Sequence, residues 1–268
     1  MKKQIKVAIP EKVETNKEIE ARIGERFDVL KELTDSVTDG NTRALIVSGP
    51  AGLGKSYTVE TALRAWDPSE TKHTFIKGFV RGTGLYKTLY THRHAGHVIV
   101  FDDADSIFFD EVSLNLLKAA CDTTDVRRLS WLAETNMVDE EGGERVERSF
   151  VFEGAIIFCT NKDFDVEIEK ESKYSPHMQA MVSRAHYISL DMKNKRDYMV
   201  RIKMVLREGV MLKELTIAEK NDVMAFIVDN NEKLRELSLR MALKLGGLRK
   251  ALGATAWQRT ARVTCCKN

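Results

Sequence analysis

Cysteine is scarce in this chain of 268 residues, and none of the four cysteines stands at metal-ligand spacing. Cys121 and Cys159 lie in apolar surroundings and Cys265 and Cys266 are adjacent, which argues against a zinc framework or a disulfide scaffold and leads us to expect reduced thiols. Long apolar runs are also missing. Runs such as Val98-Ile-Val-Phe101 and Ala155-Ile-Ile-Phe-Cys159 fall far short of the ~20 residues that a membrane-spanning helix needs. The lysine-rich start lacks a signal-peptide apolar segment, so a cytoplasmic location with no membrane partner is expected. Internal repeats and low-complexity linkers are absent too. The net charge of +2 is too small to argue for a polyanionic partner of the whole chain.

The distribution of charge along the chain is less even. Residues 72–101 contain no Asp or Glu but carry Lys72, Lys77, Arg81, Lys87 and Arg93. From residue 235 onward the only acid is Glu236. Such stretches are usually solvated faces, and they become an argument for nucleic acid only if other features agree.

The most specific pattern is Gly49-Pro50-Ala51-Gly52-Leu53-Gly54-Lys55-Ser56, a full match to the phosphate-binding loop G-x-x-x-x-G-K-[ST]. Its glycines allow the backbone N–H groups to wrap a phosphate. Lys55 reaches the outer phosphates of a bound nucleotide, and the Ser56 hydroxyl joins the Mg²⁺ shell. The context fits: residues 44–47 read as a short buried strand, and a helix from Tyr57 to Trp66 turns its N-terminus toward the phosphates.

Two further strands end on polar residues. Val98-Ile-Val-Phe101 runs into Asp102-Asp103, and Ala155-Ile-Ile-Phe-Cys159 runs into Thr160-Asn161. The C-terminal edge of a parallel strand faces the crevice where α/β sheets bind ligands. Asp102 can therefore orient the metal, Asp103 polarise an attacking water, and Asn161 hold that water or sense the outer phosphate. Between these strands, residues 128–132 and 148–152 suggest a hairpin tipped by the acidic stretch 139–144. Phe79-Val80-Arg81, before a helix starting near Leu85, suits an exposed gripping loop or, equally, a buried strand end. Arg184 precedes a last strand at 186–190. From residue 193 the pattern changes to helices, near 194–208, 216–229 and 231–252, and Arg240 is the only charge between Leu237 and Leu243.

In this order the motifs resemble the signature of the AAA+ ATPases, over about residues 15–253. Walker A is then residues 49–56, Walker B is Asp102-Asp103, sensor 1 is Asn161, the arginine finger is Arg184 and sensor 2 is Arg240. The resemblance implies an α/β P-loop NTPase with an αβα core, a five-stranded parallel sheet and a C-terminal helical lid. It also implies ATP and Mg²⁺ as cofactors, and a homo-oligomeric ring, most often a hexamer, with Arg184 entering the neighbour's site. Arg127 and Arg128 compete with Arg184 for that role. The family's usual Walker B pair is Asp-Glu, so Asp103 is one methylene short of it.

The expected organisation is an N-terminal segment 1–14, a nucleotide-binding core 15–192, a lid 193–253 and a basic tail 254–268. Compactness, together with residues 83–90 and 113–118, resembles small bacteriophage-encoded AAA+ proteins and points to a replication or remodelling factor. Nucleic acid is the favoured substrate. A polypeptide gripped by Phe79-Val80-Arg81 is the alternative, and a slow ATP-dependent switch is the third reading.

Overall fold

The computed structural model describes residues 14–133 and 145–267. Most of the N-terminal segment and the acidic stretch 139–144 lie outside the described residues. Helix α1 (Asn16–Thr38) leads into β1 (Ala44–Ser48), α2 (Lys55–Trp66), β2 (His73–Lys77), α3 (Gly82–Thr91) and β3 (Val98–Asp102). A 3-10 turn (Asp105–Phe109) and α4 (Glu111–Ala120) precede the hairpin strands β4 (Arg128–Ser130) and β5 (Ser149–Val151). Then come β6 (Ala155–Thr160), α5 (Phe164–Glu169), α6 (Ser175–Val182), β7 (His186–Ser189), α7 (Lys195–Glu208), α8 (Ile217–Asp229) and α9 (Leu239–Cys265).

Five strands form a parallel sheet in the order β2-β3-β6-β1-β7. β1, β3 and β6 are buried along their whole length, as their unbroken apolar runs require of strands covered on both faces. Alternate residues serve opposite cores. Ile46, Phe101 and Phe158 face α3, α4 and the hairpin, whereas Leu45, Val100 and Ile157 face α1, α2 and α7. At about 1.5–3 kcal/mol for each large apolar side chain buried, this double covering is what holds the strand ends in register. Ser48 pairs with Thr160 and Asp102 with Cys159, so the three motif-bearing strand ends lie side by side.

Helix α1 continues to Thr38, because Thr34 and Val37 extend the buried stripe begun by Ile19, Ile23, Phe27 and Leu30. Its N-cap is Thr15. The Thr15 hydroxyl accepts from the Glu18 N–H while the Glu18 carboxylate accepts from the Thr15 N–H, a reciprocal pairing. Among the described residues no helix is long and apolar enough to cross a membrane.

A third core lies between α7, α8 and α9. The expected basic tail at 254–268 is instead mostly helical. Gly253, with φ +69°, kinks α9 and sends residues 254–265 back across the helical unit. There Trp257 is fully buried against Phe226, with ring centres 5.2 Å apart, and Leu234 bridges to Cys266. The basic residues of this segment ride on its outer face, and its apolar stripe belongs to the core. Trp257→Ala is expected to destabilise this unit by about 3–5 kcal/mol in chemical denaturation. Trp257→Phe is expected to stay close to neutral, since the buried indole N–H has no acceptor among the described residues.

Candidate nucleotide site

The loop after β1 folds in the conformation its glycines permit. Gly49, Gly52 and Gly54 all have positive φ, and Gly54 caps α2 in the left-handed region. A β-carbon on Gly52 would lie 2.8 Å from the Ser238 β-carbon, because the lid is seated directly on the loop: the Leu239 N–H donates to the Gly52 carbonyl at 2.8 Å. Ser238 in turn caps α9 by accepting from the Met241 N–H. Gly52→Ala therefore carries both this clash and the ~1–2 kcal/mol cost of a left-handed β-carbon. A melting temperature several degrees below that of the unsubstituted protein is the expected result in a thermal melt.

Lys55 is buried and held in place by three acceptors: the Gly49 carbonyl at 2.6 Å, the Pro50 carbonyl at 2.9 Å and Asn161 Oδ1 at 2.9 Å. Burial pushes its ammonium below the ordinary lysine range, with Asp103 and Asp102 pulling the other way. The Ser56 hydroxyl donates to Asp102 Oδ1 at 2.5 Å. This hydroxyl–carboxylate pair is a set of hard oxygen ligands, which fits Mg²⁺ as an ion that prefers oxygen and retains most of its waters. Asp102 also pairs with Lys77 at 3.3 Å, through a lysine whose exposed side chain is free to yield to a metal.

Asp103 has φ +54°, a left-handed turn that Asp tolerates better than most residues because of its short polar side chain. The turn presents its carboxylate to Asn161, whose Nδ2 donates to Asp103 Oδ1 at 2.7 Å. Asn161 is itself positioned from behind, since the preceding Thr160 hydroxyl donates to Asp105 at 2.6 Å. Arg240 approaches Asp103 Oδ2 at 3.9 Å from the lid. Lys55, Asn161, Asp103 and Arg240 thus form one continuous polar chain spanning the loop, two strand ends and the lid, and the Ser56–Asp102 pair stands beside it.

All of these groups except Asp102 line a cavity of about 580 Å³ between loop and lid, a size suited to a small-molecule ligand. Ala51, Gly52, Gly54, Lys55, Ser56 and Tyr57 line it on the loop side, whereas Gly49, Pro50 and Leu53 do not. The lid side combines the apolar Val205, Met211, Leu212 and Leu243 with the charged Glu208, Lys213 and Glu214. Sequence reasoning missed this lid wall and, with it, Arg201. The signal was present: Arg201, Val205 and Glu208 follow helical spacing on one face of α7, and all three line the cavity.

Arg184 does not line the cavity of its own chain. It sits between α6 and β7, donates to the Ala180 carbonyl at 2.9 Å and lies 3.5 Å from Asp122. Arg127 is unavailable to a second copy. It is buried, donates to the Ala120 and Gly154 carbonyls at 2.8 and 2.9 Å, and stacks on Phe152. Arg128 is exposed on β4. Phe79 is no strand-end core residue: it is 71% exposed, with the Arg81 guanidinium 5.2 Å from its ring centre. Burial pushes the Cys121 and Cys159 thiols up to about 12, which keeps both protonated.

No protein-family model matches the chain. It is 37% identical over 242 residues to an uncharacterized 36.7 kDa protein of the nrdC-mobD intergenic region of Enterobacteria phage T4, a match covering 89% of this chain and 73% of the phage protein. Among solved structures, it resembles the RuvB Holliday junction branch migration motor of Thermotoga maritima. There the TM-score is 0.51 at 14% identity, over 91% of this chain and 68% of that one. A point mutant of the same motor gives 0.54 at 13% identity, over 94% and 72%. The sheet order, the loop after β1 and the helical unit seated on that loop are the architecture of a AAA+ P-loop NTPase. The chain belongs to the family of the phage T4 protein and has the AAA+ fold.

Proposed function

We propose that the chain is an ATPase that works as a ring of copies, most often six, and couples hydrolysis to movement or remodelling of a nucleic acid. The observation that carries the nucleotide reading is the polar chain from Lys55 to Arg240, with the Ser56–Asp102 pair beside it, in a cavity whose lid wall also presents the apolar Val205, Met211, Leu212 and Leu243. That combination matches a ligand with a charged phosphate tail and a flat apolar base. Lys55 meets the outer phosphates, and Ser56 with Asp102 would hold Mg²⁺. The ion would supply positive charge against the phosphate oxygens. Asp103 takes the proton of the attacking water as its oxygen bonds to the terminal phosphorus, and the bond to the bridging oxygen breaks to leave ADP and phosphate. Asn161 fixes the Asp103 carboxylate for that transfer. In its own chain, Arg240 is the arginine nearest the terminal phosphate. Arg184 of a second copy supplies the further charge that develops in the transition state. To reach it, Arg184 gives up its contact with Asp122.

The choice of nucleic acid rests on the surface around Phe79. The exposed Phe79–Arg81 pair lies within the acid-free stretch 72–101, which combines a stacking ring with cations as a single-strand groove does. One solved structure of similar fold is a Holliday junction branch migration motor, which accords with this choice. The test is the ATP turnover rate with single-stranded DNA, duplex DNA or an unfolded protein added. Stimulation by DNA that fades with rising salt is expected. Stimulation by the unfolded protein alone would assign the Phe79 loop to a polypeptide, and no turnover under any condition would leave a nucleotide-dependent switch.

A further inference from the structure

Arg201 puts a cation into the nucleotide cavity that none of the sequence motifs accounts for. It is 7% exposed. Its guanidinium carbon lies 3.5 Å from the centre of the Phe27 ring, and Nε makes one long hydrogen bond, 3.4 Å, to the Leu53 carbonyl. Among the described residues it has no ion-pair partner. The other buried cations are better served: Lys55 donates to three acceptors within 2.9 Å and Arg127 to two. A guanidinium carries five N–H donors in a fixed fork, so most of those of Arg201 are left to the cavity it lines. Burial pushes it down to about 10, with only Glu208 acting against that. A cation buried without a counter-charge is costly to keep, unless a ligand provides the charge.

Its position says which part of a ligand that would be. Arg201 Nη2 lies 3.6 Å from where a Gly54 β-carbon would stand, beside the loop backbone that cradles phosphate. Arg240 belongs to the other end, next to Asp103. We infer that Arg201 is a second nucleotide ligand on the lid, pairing with the diphosphate portion common to ADP and ATP, while Arg240 answers to the terminal phosphate. The lid is then held on the loop in both nucleotide states, and hydrolysis releases only the Arg240 contact. This inference rests on the nucleotide reading above.

The test compares Arg201→Met, Arg201→Gln and Arg240→Ala by calorimetric titration with ADP and ATP, and by displacement of a fluorescent ADP with inorganic pyrophosphate. Both Arg201 variants are expected to lose at least about tenfold in affinity for ADP and ATP alike, and the dissociation constant for pyrophosphate, taken from the displacement after correction for the weakened fluorescent ADP, is expected to rise as well. Arg240→Ala is expected to lose more for ATP than for ADP. Nucleotide-free Arg201→Met should melt no lower than the unsubstituted protein, since an unpaired buried cation is replaced by an apolar chain. Should that variant fail to fold, Arg201→Gln decides. ADP affinity unchanged in the folded Arg201 variants, or an unchanged pyrophosphate dissociation constant, would overturn the assignment. Failure of the unsubstituted protein to bind either nucleotide would instead overturn the nucleotide reading itself.

Discussion

Replacing Lys55 with alanine is expected to abolish ATP binding at ordinary concentrations. Truncating one partner of a buried charge pair costs about 2–5 kcal/mol, or roughly 30- to 4,000-fold in affinity at 1.4 kcal/mol per tenfold. The upper part of that range applies here for two reasons. The Lys55 ammonium is buried and already aimed by three acceptors, so it meets a phosphate with little reorganisation. Its removal also strands the Gly49 and Pro50 carbonyls and Asn161 Oδ1 beside an anionic ligand. Calorimetric titration with ATP measures the effect. A melt of the nucleotide-free variant separates it from unfolding, and an affinity within about threefold of the unsubstituted protein would contradict the assignment.

Asp103→Asn is expected to do the opposite, keeping ATP affinity while lowering turnover by about 100- to 10,000-fold, the range that a positioned general base contributes. The substitution is well suited to the backbone. Asn tolerates the left-handed conformation at φ +54° as readily as Asp does, and its side-chain oxygen can still accept from Asn161 Nδ2. What it loses is the capacity to take a proton. Asp103→Glu restores the family's usual Walker B pair but places a longer side chain on a left-handed backbone, so partial turnover is expected from it. Single-turnover rates at saturating ATP measure both variants. Full turnover in Asp103→Asn would remove Asp103 from the chemistry.

Much of this site was legible because its parts are local. A phosphate loop is a run of consecutive residues, and an apolar run ending on an acid shows a buried strand and its polar edge together. The parallel sheet then brings those edges into one row: Ser48 beside Thr160, and Cys159 beside Asp102. The features that escaped depend on contacts distant in sequence. Arg201 stands in a helix rich in Lys and Arg, so its spacing with Val205 and Glu208 was the one local sign of it, and its burial under Phe27 depends on a contact distant in sequence. Arg127 resembled its neighbour Arg128 until the chain beyond the hairpin supplied the Gly154 carbonyl and the Phe152 ring. The kink at Gly253 hid a helix, since the basic residues after it masked the stripe of Trp257, Ala261 and Cys265. For Phe79 both readings stood open, and the exposure of the short connection between β2 and α3 decided between them.

The central claim is that each ATP site is completed by a second copy of the chain. It is tested most directly by mixing two inactive proteins, Arg184→Ala and Lys55→Ala, across a series of ratios and measuring ATP turnover. In a mixed assembly, an Arg184→Ala subunit keeps its own phosphate loop and meets the intact Arg184 of a Lys55→Ala neighbour. The account predicts turnover above that of either protein alone, greatest at intermediate ratios. Mixtures that stay as inactive as their parts at every ratio, under conditions where the unsubstituted protein hydrolyses ATP, would contradict it.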